Sequence, residues 1–269
     1  MEIEAFVNRL RKNRRHWDKW ARRRGIGCYR LYDRDIPEFP LAIDWYEGEA
    51  HAQVFARKGQ QPLEEAEEQA IGAAICQALE IPEQALAFKT RQRQRGLAQY
   101  EKTGQRGEPR VVSEAGLKFQ VDLHSYLDTG LFLDHRETRA LVRQRAQGKR
   151  MLNLFAYTGS FSVYAAAGGA LATTSVDLSN TYQAWTKRNL ELNGFSGDDH
   201  HLERADVFEY LDRAVRERRI FGLIVLDPPS FSNSKKMQEI LDVQRDHRRL
   251  IEACLELLTP NGELYSVSY

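Results

Sequence analysis

The spacing of hydrophobic residues predicts a different architecture in each half of the chain. In residues 3–24, Phe6, Leu10 and Trp17 recur at helical spacing among arginines and lysines, so this segment is predicted to be an amphipathic helix. Three short runs of strand-forming residues follow, separated by turn residues, and their simplest arrangement is a β-meander. These runs are residues 28–32, 41–46 and 50–56.

The remainder of the first half mixes helix and strand patterns. A proline followed by apolar residues at helical spacing predicts a helix over residues 62–79, and residues 85–89 are predicted to form a strand. The polar segment 91–109 has no apolar periodicity and is predicted to be a mobile loop. Two runs on either side of Gly116 are predicted to pair as a hairpin. These runs are residues 111–113 and 117–123.

In the second half, predicted strands alternate with predicted helices, which is the pattern of a parallel sheet built from βαβ units. The strands are expected at residues 151–155, 173–176, 201–204, 221–226 and 263–268. The helices are expected at residues 135–147, from the turn 156–160 to residue 167, and at 180–193, 207–218 and 242–258. Five strands with their helices fit a doubly wound α/β sheet. The sequence therefore predicts a small α+β domain over residues 1–125 and an α/β domain over residues 126–269.

The composition is that of a globular protein. Of 269 residues, 42% are hydrophobic and 29% are charged, which excludes disordered and low-complexity classes. There is no apolar run of about 20 residues and no signal-peptide pattern at the start, so we expect a cytoplasmic protein with no membrane partner. The cysteines Cys28, Cys76 and Cys254 are far apart in sequence and form no CxxC pair, so we expect free thiols and no metal site.

The net charge of +1 conceals a local excess of basic residues. Residues 1–30 contain ten basic and three acidic side chains, and residues 89–110 contain seven basic and two acidic ones. Tryptophans lie among the basic residues of the first segment, and this mixture is typical of a surface that follows phosphates and stacks on bases. A solvated helix face and a polar linker are the alternative interpretation. The candidate RNA-binding residues are Arg11, Arg14, Arg15, Arg22, Arg23, Arg91, Arg93 and Arg95.

Ligands of a doubly wound sheet bind at the carboxyl ends of its strands, so the residues that follow each strand are candidates. The first parallel strand leads into a turn with Gly159, which allows close backbone approach. Asp177 follows the second strand, where it is placed to accept both ribose hydroxyls of an adenosine cofactor, and Asp206 follows the third, near the adenine amino group. Taken singly, the glycine could be an ordinary turn residue and each aspartate a helix N-cap. The GxGxxG pattern of nicotinamide dehydrogenases is absent from this turn.

The segment after the fourth parallel strand is harder to explain by structure alone. Asp227 is followed by Pro228 and Pro229, which fix φ and remove two N–H donors at the ligand-binding edge. We interpret the segment as a rigid shelf for a planar base, on which Asp227 accepts from an amino group and Phe231 stacks on the ring. Methyl transfer from a sulfonium to a ring nitrogen suits such a site, because the donor is already activated and holding the reactants in line supplies most of the rate.

These motifs resemble those of a known enzyme family. On the cofactor side they are NLFAYTG at residues 153–159, VDLS at 176–179 and LDPPSFSNSK at 226–235. Outside it they are NRLRKNRRHW at residues 8–17, KTRQRQ at 89–94 and DTGLFLDHR at 128–136. Together they resemble class I S-adenosylmethionine-dependent rRNA methyltransferases, and most closely the guanine-N7 (RlmK-type) half of the bifunctional bacterial enzyme that modifies large-subunit rRNA. The likeness covers nearly the whole chain.

The resemblance implies a fold, a cofactor and a substrate. The fold is a Rossmann-like class I methyltransferase sheet preceded by a smaller α+β RNA-binding domain. The cofactor is S-adenosylmethionine, with S-adenosylhomocysteine as its product. The partner is ribosomal RNA, in which a guanine of the 23S molecule is methylated, with N7 favoured.

The resemblance also assigns roles to individual residues. The methionine end of the cofactor is assigned to Phe155, Tyr157, Thr158, Gly159 and Ser160. The ribose is assigned to Asp177 and the adenine to Asp206, and further cofactor-binding candidates are Leu178, Ser179 and Val207. A segment that relatives bring over the cofactor contains Phe132, Asp134 and Arg136. The candidate catalytic residues, which face the guanine, are Asp227, Pro228, Pro229 and Phe231.

Two departures from the family keep alternatives open. The bifunctional enzyme carries a THUMP region and a second methyltransferase domain in front of this one, and we expect a separate chain to supply them. The sequence also stops at Tyr269, in or just after a predicted strand, so we expect the sheet to be truncated at its last strands. A neighbouring branch methylates cytosine at C5 with a cysteine thiolate, at a position that here looks like Val267, which disfavours that activity. A non-catalytic RNA-binding or ribosome-assembly factor is the other alternative, and the intact Asp177, Asp206 and Asp-Pro-Pro argue against it.

Overall fold

The computed structural model describes residues 2–55, 63–91, 107–126, 128–229, 231–232 and 241–267. The chain divides into two compact units. The first comprises Met1–Gly116 and Val121–Thr129, and the second comprises Leu117–Gln120 and Gly130–Tyr269. Most of the loop predicted over residues 91–109 lies outside the described residues.

The first unit is an α+β unit around one four-stranded sheet. Its elements are α1 (Ile3–Arg24), β1 (Cys28–Asp33), β2 (Leu41–Tyr46), β3 (Glu49–Phe55), α2 (Glu65–Leu79), a 3₁₀ turn (Glu83–Ala85), β4 (Leu86–Arg91) and β5 (Arg110–Glu114). The sheet order is β1-β2-β3-β4. The first three strands are antiparallel, which confirms the predicted meander. The fourth pairs with β3 in parallel, because α2 carries the chain back to the same end of the sheet.

The apolar stripe of α1 forms the core of this unit. Phe6, Leu10 and Ala21 are buried, and the ring of Phe6 stacks on Phe39 with 4.5 Å between centroids. The helix ends at Gly25, whose φ of 63° is the left-handed conformation that glycine adopts without strain. The basic residues of α1 are thereby left on its other faces.

From β6 onward the chain builds a parallel sheet with crossover helices. The elements are β6 (Leu117–Val121), α3 (Arg136–Arg145), β7 (Arg150–Leu154), α4 (Ser160–Ala167), β8 (Ala172–Val176), α5 (Asn180–Leu192), β9 (His200–Glu203), α6 (Val207–Arg216), β10 (Phe221–Leu226), β11 (Phe231–Ser232), β12 (Leu241–Asp242), α7 (Val243–Glu256) and β13 (Leu258–Ser266). The sheet order is β13-β10-β7-β8-β9, and all four pairings are parallel. The direction of winding reverses between β7 and β10, which makes the carboxyl ends of these two strands the expected ligand crevice.

Helices cover both faces of this sheet. On one face α3 and α4 pack on alternate residues of β7 and β10, and on the other face α6 and α7 pack on the residues between them. All six residues of β10 are buried, as expected for the centre of a doubly wound sheet. The predicted fold class is therefore confirmed.

Two details differ from the sequence prediction. β11 and β12 form an antiparallel pair of two residues each, which is too short to give any periodicity. β13 begins at Leu258 rather than at residue 263, and its pairing with β10 contains a register shift between Phe221 and Leu223. None of the described helices is both long and apolar enough to cross a membrane.

Candidate cofactor and base site

The loop between β7 and α4 has an unusual backbone. Phe155 and Tyr157 have φ angles of 57° and 51°, and Gly159 has a φ of 74°. Positive φ at a residue with a side chain costs of order 1–3 kcal/mol, so the surroundings must hold this loop in place. A Cβ at Gly159 would lie 2.3 Å from Cγ2 of Thr186, so only glycine fits there. The loop leads directly into the N-terminus of α4, where backbone N–H groups lack helical acceptors.

Side chains of α5 hold this loop. Oγ1 of Thr186 donates to the carbonyl oxygen of Tyr157 at 3.0 Å, and Nδ2 of Asn189 donates to that of Thr158 at 2.9 Å. The buried hydroxyl of Thr158 donates in turn to the carbonyl oxygen of Gly130 at 2.6 Å. The sequence analysis missed Thr186 and Asn189, because isolated polar residues on a helix resemble a solvated face.

The carboxylate of Asp177 ties the loop to the end of β8. Its Oδ2 accepts the N–H of Tyr157 at 2.9 Å, and its Oδ1 accepts the N–H of Ser179 at 2.8 Å. Burial raises the pKa of Asp177 to about 6, although these two N–H groups act in the opposite direction. A carboxylate has about four lone-pair sites, so acceptor capacity remains for ribose hydroxyls.

Asp206 caps α6 at the end of β9. Its Oδ1 accepts the N–H groups of Phe208 at 2.8 Å and Glu209 at 3.3 Å, so the N-cap interpretation of this residue is correct. Both bonds end on one oxygen, and the cap is therefore compatible with a ligand on the other. Of the neighbouring predicted residues, Val207 is buried, and Ser179 caps α5 by accepting the N–H of Tyr182. Leu178 is half-buried.

Gln183 of α5 joins the ends of β8 and β9. Its Nε2 donates to the carbonyl oxygens of Ser175 at 3.1 Å, Asp177 at 3.3 Å and Glu203 at 2.9 Å. This amide fixes the spacing between the two strand ends that carry the aspartates. The sequence contained no signal for it, because its partners are backbone atoms.

Aromatic rings line the loop between β7 and α4, residues 155–159, which we name the cofactor loop. Phe132 is 39% exposed, and its ring lies 5.2 Å from that of Tyr157, which in turn lies 4.6 Å from that of Tyr182. An exposed phenylalanine next to a strained loop offers apolar surface that a ligand can bury. In the same segment, Asp134 is exposed and Arg136 is half-buried at the start of α3.

Asp227 lies at the switch point, directly after β10. Its N–H donates to the carbonyl oxygen of Leu154 at the end of β7 across 3.4 Å, and its side chain is 18% exposed. Pro228 is buried and Pro229 is half-buried. The backbone of Phe231 belongs to β11, and its side chain lies outside the described residues.

His135 is a residue of this site that the sequence analysis missed. Its Nε2 lies 3.7 Å from Oδ2 of Asp227. Burial raises the pKa of Asp227 to about 6, while His135 lowers it and Asp134 raises it. His135 belongs to the motif at residues 128–136, but it stands there among charged residues at a helix start, so the sequence did not single it out.

The residues that the structure brings together fit S-adenosylmethionine. Asp177 and Asp206 supply acceptors at two successive strand ends, as ribose hydroxyls and an adenine amino group require. Phe132 and Tyr157 offer aromatic surface at the cofactor loop, where a ligand can make apolar contact. Among the described residues, no group of three or more His, Cys, Asp or Glu side chains is arranged to hold a metal ion.

The candidate RNA-binding arginines of the first unit lie on α1. Arg14 differs from the others, because it pairs with Asp18 at 2.9 Å and lies over the ring of Trp45 at 3.4 Å from the centroid. Its guanidinium is therefore used within the unit. The exposed members are Arg11, Arg15, Arg22 and Arg23. The side chain of Arg91 and the whole of Arg93 and Arg95 lie outside the described residues.

Proteins of known families match this chain over nearly its full length. A family model described as S-adenosylmethionine-dependent methyltransferase matches residues 18–268. The "Ribosomal RNA large subunit methyltransferase K" of Neisseria meningitidis serogroup B is 54% identical over 269 residues, which are 98% of this chain and 75% of that protein. The "Ribosomal RNA large subunit methyltransferase K/L" of Methylococcus capsulatus is 50% identical over 268 residues, which are 98% of this chain and 36% of that protein.

A solved structure gives the same result. The crystal structure of SMU.776 complexed with SAH has a TM-score of 0.82 and 29% sequence identity, and the match covers 99% of this chain and 67% of that one. The predicted enzyme class and cofactor are confirmed by these matches. With a family model that covers almost all of it, this chain belongs to the S-adenosylmethionine-dependent methyltransferase family.

Proposed function

We propose that this protein transfers the methyl group of S-adenosylmethionine to a guanine of large-subunit ribosomal RNA, with N7 as the accepting atom. The observation that carries the proposal is the position of Asp227-Pro228-Pro229 beside the cofactor loop. The choice of large-subunit ribosomal RNA as the substrate follows the names of the similar proteins from Neisseria and Methylococcus. The chain spans three quarters of the first protein and about a third of the second. The proposal therefore does not include every activity of the longer K/L protein.

The neighbouring positions of β7 and β10 support a base site beside the cofactor loop. Leu226 of β10 pairs with Leu154 of β7, so Asp227 and Phe155 leave the sheet from neighbouring strands about 4.8 Å apart. When bound, S-adenosylmethionine supplies a methyl group activated by its sulfonium. The loop and Asp177 bind and orient that donor, and Pro228 and Pro229 hold the shelf rigid. Alignment of donor and acceptor is the main contribution that such a site makes.

The cysteines favour a ring nitrogen over cytosine C5 as the acceptor. Guanine N7 has a lone pair and carries no proton, so no nucleophile or base has to act on it. Methylation at cytosine C5 requires a thiolate. All three cysteines of this sequence are buried, and burial raises the pKa of Cys254 to about 12 and also raises that of Cys76.

The basic face of α1 supports RNA as the substrate. Four of its candidate arginines are exposed, and Trp17 among them is 37% exposed. Guanidinium groups at this density bind phosphates, and an exposed indole stacks on unpaired bases. With ribosomal RNA as the substrate, the cytoplasm is the location that we propose. A separate chain that carries the further domains of the longer relatives stays an expectation from the sequence.

Transfer of a radioactive methyl group to 23S rRNA tests the proposal. The RNA comes from a strain that lacks the enzyme, and the product is mapped by chain cleavage specific for 7-methylguanine. We expect one cleavage site with the wild type and none with Asp227→Ala, with calorimetry showing that the variant still binds S-adenosylhomocysteine. Binding of cofactor and RNA without any transfer would instead support the non-catalytic factor, and label on cytosine would support the C5 branch.

A further inference from the structure

Asp227 differs from the other two aspartates that follow parallel strands. Asp177 accepts the N–H of Ser179, two residues further on, at 2.8 Å. Asp206 likewise accepts the N–H of Phe208, two residues further on, at 2.8 Å. In both cases the carboxylate is stabilised by its own turn.

Neither of the two residues after Asp227 offers such stabilisation. Pro228 and Pro229 have no N–H, so the carboxylate cannot accept a hydrogen bond from either residue that follows it. The side chain of His135 lies close to this carboxylate instead, with Nε2 at 3.7 Å from Oδ2 of Asp227. Asp227 thus has an imidazole nearby, whereas Asp177 and Asp206 accept backbone N–H groups from their own turns.

His135 is held firmly enough to position a partner. Its side chain is 7% exposed, and it stands at the N-cap of α3. Its ring packs edge to face against Phe132 and Phe161, with centroid distances of 6.0 Å and 5.8 Å. A ring packed between two aromatic neighbours keeps one orientation.

The described residues place two titratable neighbours, His135 and Asp134, near the Asp227 carboxylate. Burial raises its pKa to about 6, His135 lowers it, and Asp134 raises it. Without the imidazole, burial and the second carboxylate would both favour the protonated acid.

We propose that His135 is a positioning residue that keeps the Asp227 carboxylate ionised and oriented, so that this carboxylate accepts the N1–H and the amino group of the target guanine. The inference rests on the proposed function and names how the base is selected. Adenine presents one donor and one acceptor on the same edge, so a carboxylate that accepts at both oxygens discriminates against it.

The same contact strengthens during the reaction. The N7 lone pair forms the new bond to the methyl carbon while the carbon–sulfur bond breaks and leaves its electron pair on sulfur, and no proton moves. The purine ring gains the positive charge that the sulfonium loses. Because a cationic ring is a stronger N–H donor, the carboxylate binds the transition state more tightly than the neutral base.

A carboxyl titration of the full-length chain tests the positioning role without RNA. With aspartate labelled at the side-chain carboxyl carbon, the Asp227 resonance is followed by NMR against pH in the wild type, His135→Gln and Asp134→Asn. We expect the pKa of Asp227 to rise in His135→Gln and to fall in Asp134→Asn. His201→Gln, an exposed histidine of β9, is the control and should leave it unchanged. An unchanged Asp227 titration in His135→Gln would overturn the proposal, whatever the result for Asp134→Asn.

Transfer kinetics on a 23S rRNA fragment give the functional readout. We expect kcat/KM of His135→Gln to fall about threefold at pH 6.5 and to approach the wild type at pH 8.5, because a rise of about one unit in a pKa of about 6 reduces the ionised fraction by this factor at pH 6.5. A loss of equal size at every pH would mean that His135 only packs, and would overturn its role. If no transfer occurs at all, the proposed function fails while the NMR result still decides the positioning claim.

Guanine recognition has its own test. A fragment transcribed with inosine in place of guanosine keeps N7 and N1–H and lacks only the amino group. We expect the wild type to methylate it about tenfold more slowly, the scale of one lost hydrogen bond in a closed site. Equal rates on both fragments would remove the amino group from the contact.

Discussion

The N–H of Tyr157 donates to Oδ2 of Asp177 across 2.9 Å, so a residue with positive φ is held by the carboxylate that is also placed for the ribose. The same carboxylate accepts the N–H of Ser179. Asp177 therefore holds the loop in the position proposed for the ligand, whereas the sequence suggested a ligand contact or a helix N-cap and not this bond to the loop.

Substitution of Asp177 should weaken cofactor binding in two stages. Asp177→Ala removes every acceptor and should cost about 1–3 kcal/mol of S-adenosylmethionine affinity by titration calorimetry. Asp177→Asn retains one oxygen and should lose less. Asp198→Ala, an exposed aspartate of the same unit, serves as the control. Unchanged affinity in Asp177→Ala would remove this residue from the site.

The ionised carboxylate of Asp227 should lower the free energy of unfolding at neutral pH. Its pKa is raised to about 6 in the folded state, above the ordinary 3.8, so the folded protein favours the protonated acid and loses stability as the pH rises through about 4 to 6. Asp227→Asn should therefore gain up to about 3 kcal/mol relative to the wild type at pH 8, and clearly less at pH 5. Urea unfolding at both pH values measures the difference. A gain independent of pH would contradict the assignment, and Asp212→Asn at an exposed position is the control.

Gly159→Ala should destabilise the second unit more than a matched glycine substitution. Gly148 has a similar φ of 70° with nothing within 4 Å of the added Cβ, whereas the Cβ at Gly159 meets Thr186. Gly148→Ala should lose about 1–2 kcal/mol from the backbone alone, and Gly159→Ala should lose more than that. Thermal unfolding of both variants decides the point. Equal losses would show that the overlap with Thr186 relaxes freely.

The exposed arginines of α1 should contribute to RNA affinity through phosphates. Replacing Arg11, Arg15 and Arg22 with glutamine should flatten the slope of log affinity against log salt by about 2–3, because each phosphate contact contributes about 0.7–0.9. Filter binding of an rRNA fragment across a salt series measures it.

Two comparisons show whether position rather than total charge matters. Arg14→Gln should change the slope little, because Arg14 is engaged with Asp18 and Trp45. Arg216 and Arg218 of the second unit are also exposed, and their replacement with glutamine is the charge control. Parallel salt lines for the wild type and the triple variant would reduce α1 to a solvated face.

The sequence predicted those parts of the site that follow from strand order. Gly159, Asp177, Asp206 and Asp227 all lie in the segments that follow parallel strands, and position alone made them candidates. The residues that hold them were not predictable in the same way. Gln183, Thr186 and Asn189 bond to backbone carbonyls, which every sequence has, and His135 reaches Asp227 only through the fold. The left-handed Phe155 and Tyr157 were also missed, because residues with side chains rarely adopt that conformation.

Several contacts of the second unit converge on the single helix α5. Besides the loop and the strand ends, it binds β6, where the indole N–H of Trp185 donates to the carbonyl oxygen of Gln120 at 3.0 Å. If α5 detaches from the sheet, the loop of Tyr157 loses the two anchors that Thr186 and Asn189 supply. Amide hydrogen exchange in the loop should therefore follow the opening rate of the helix, and occupancy by the cofactor should slow exchange along α5 at residues that never touch it.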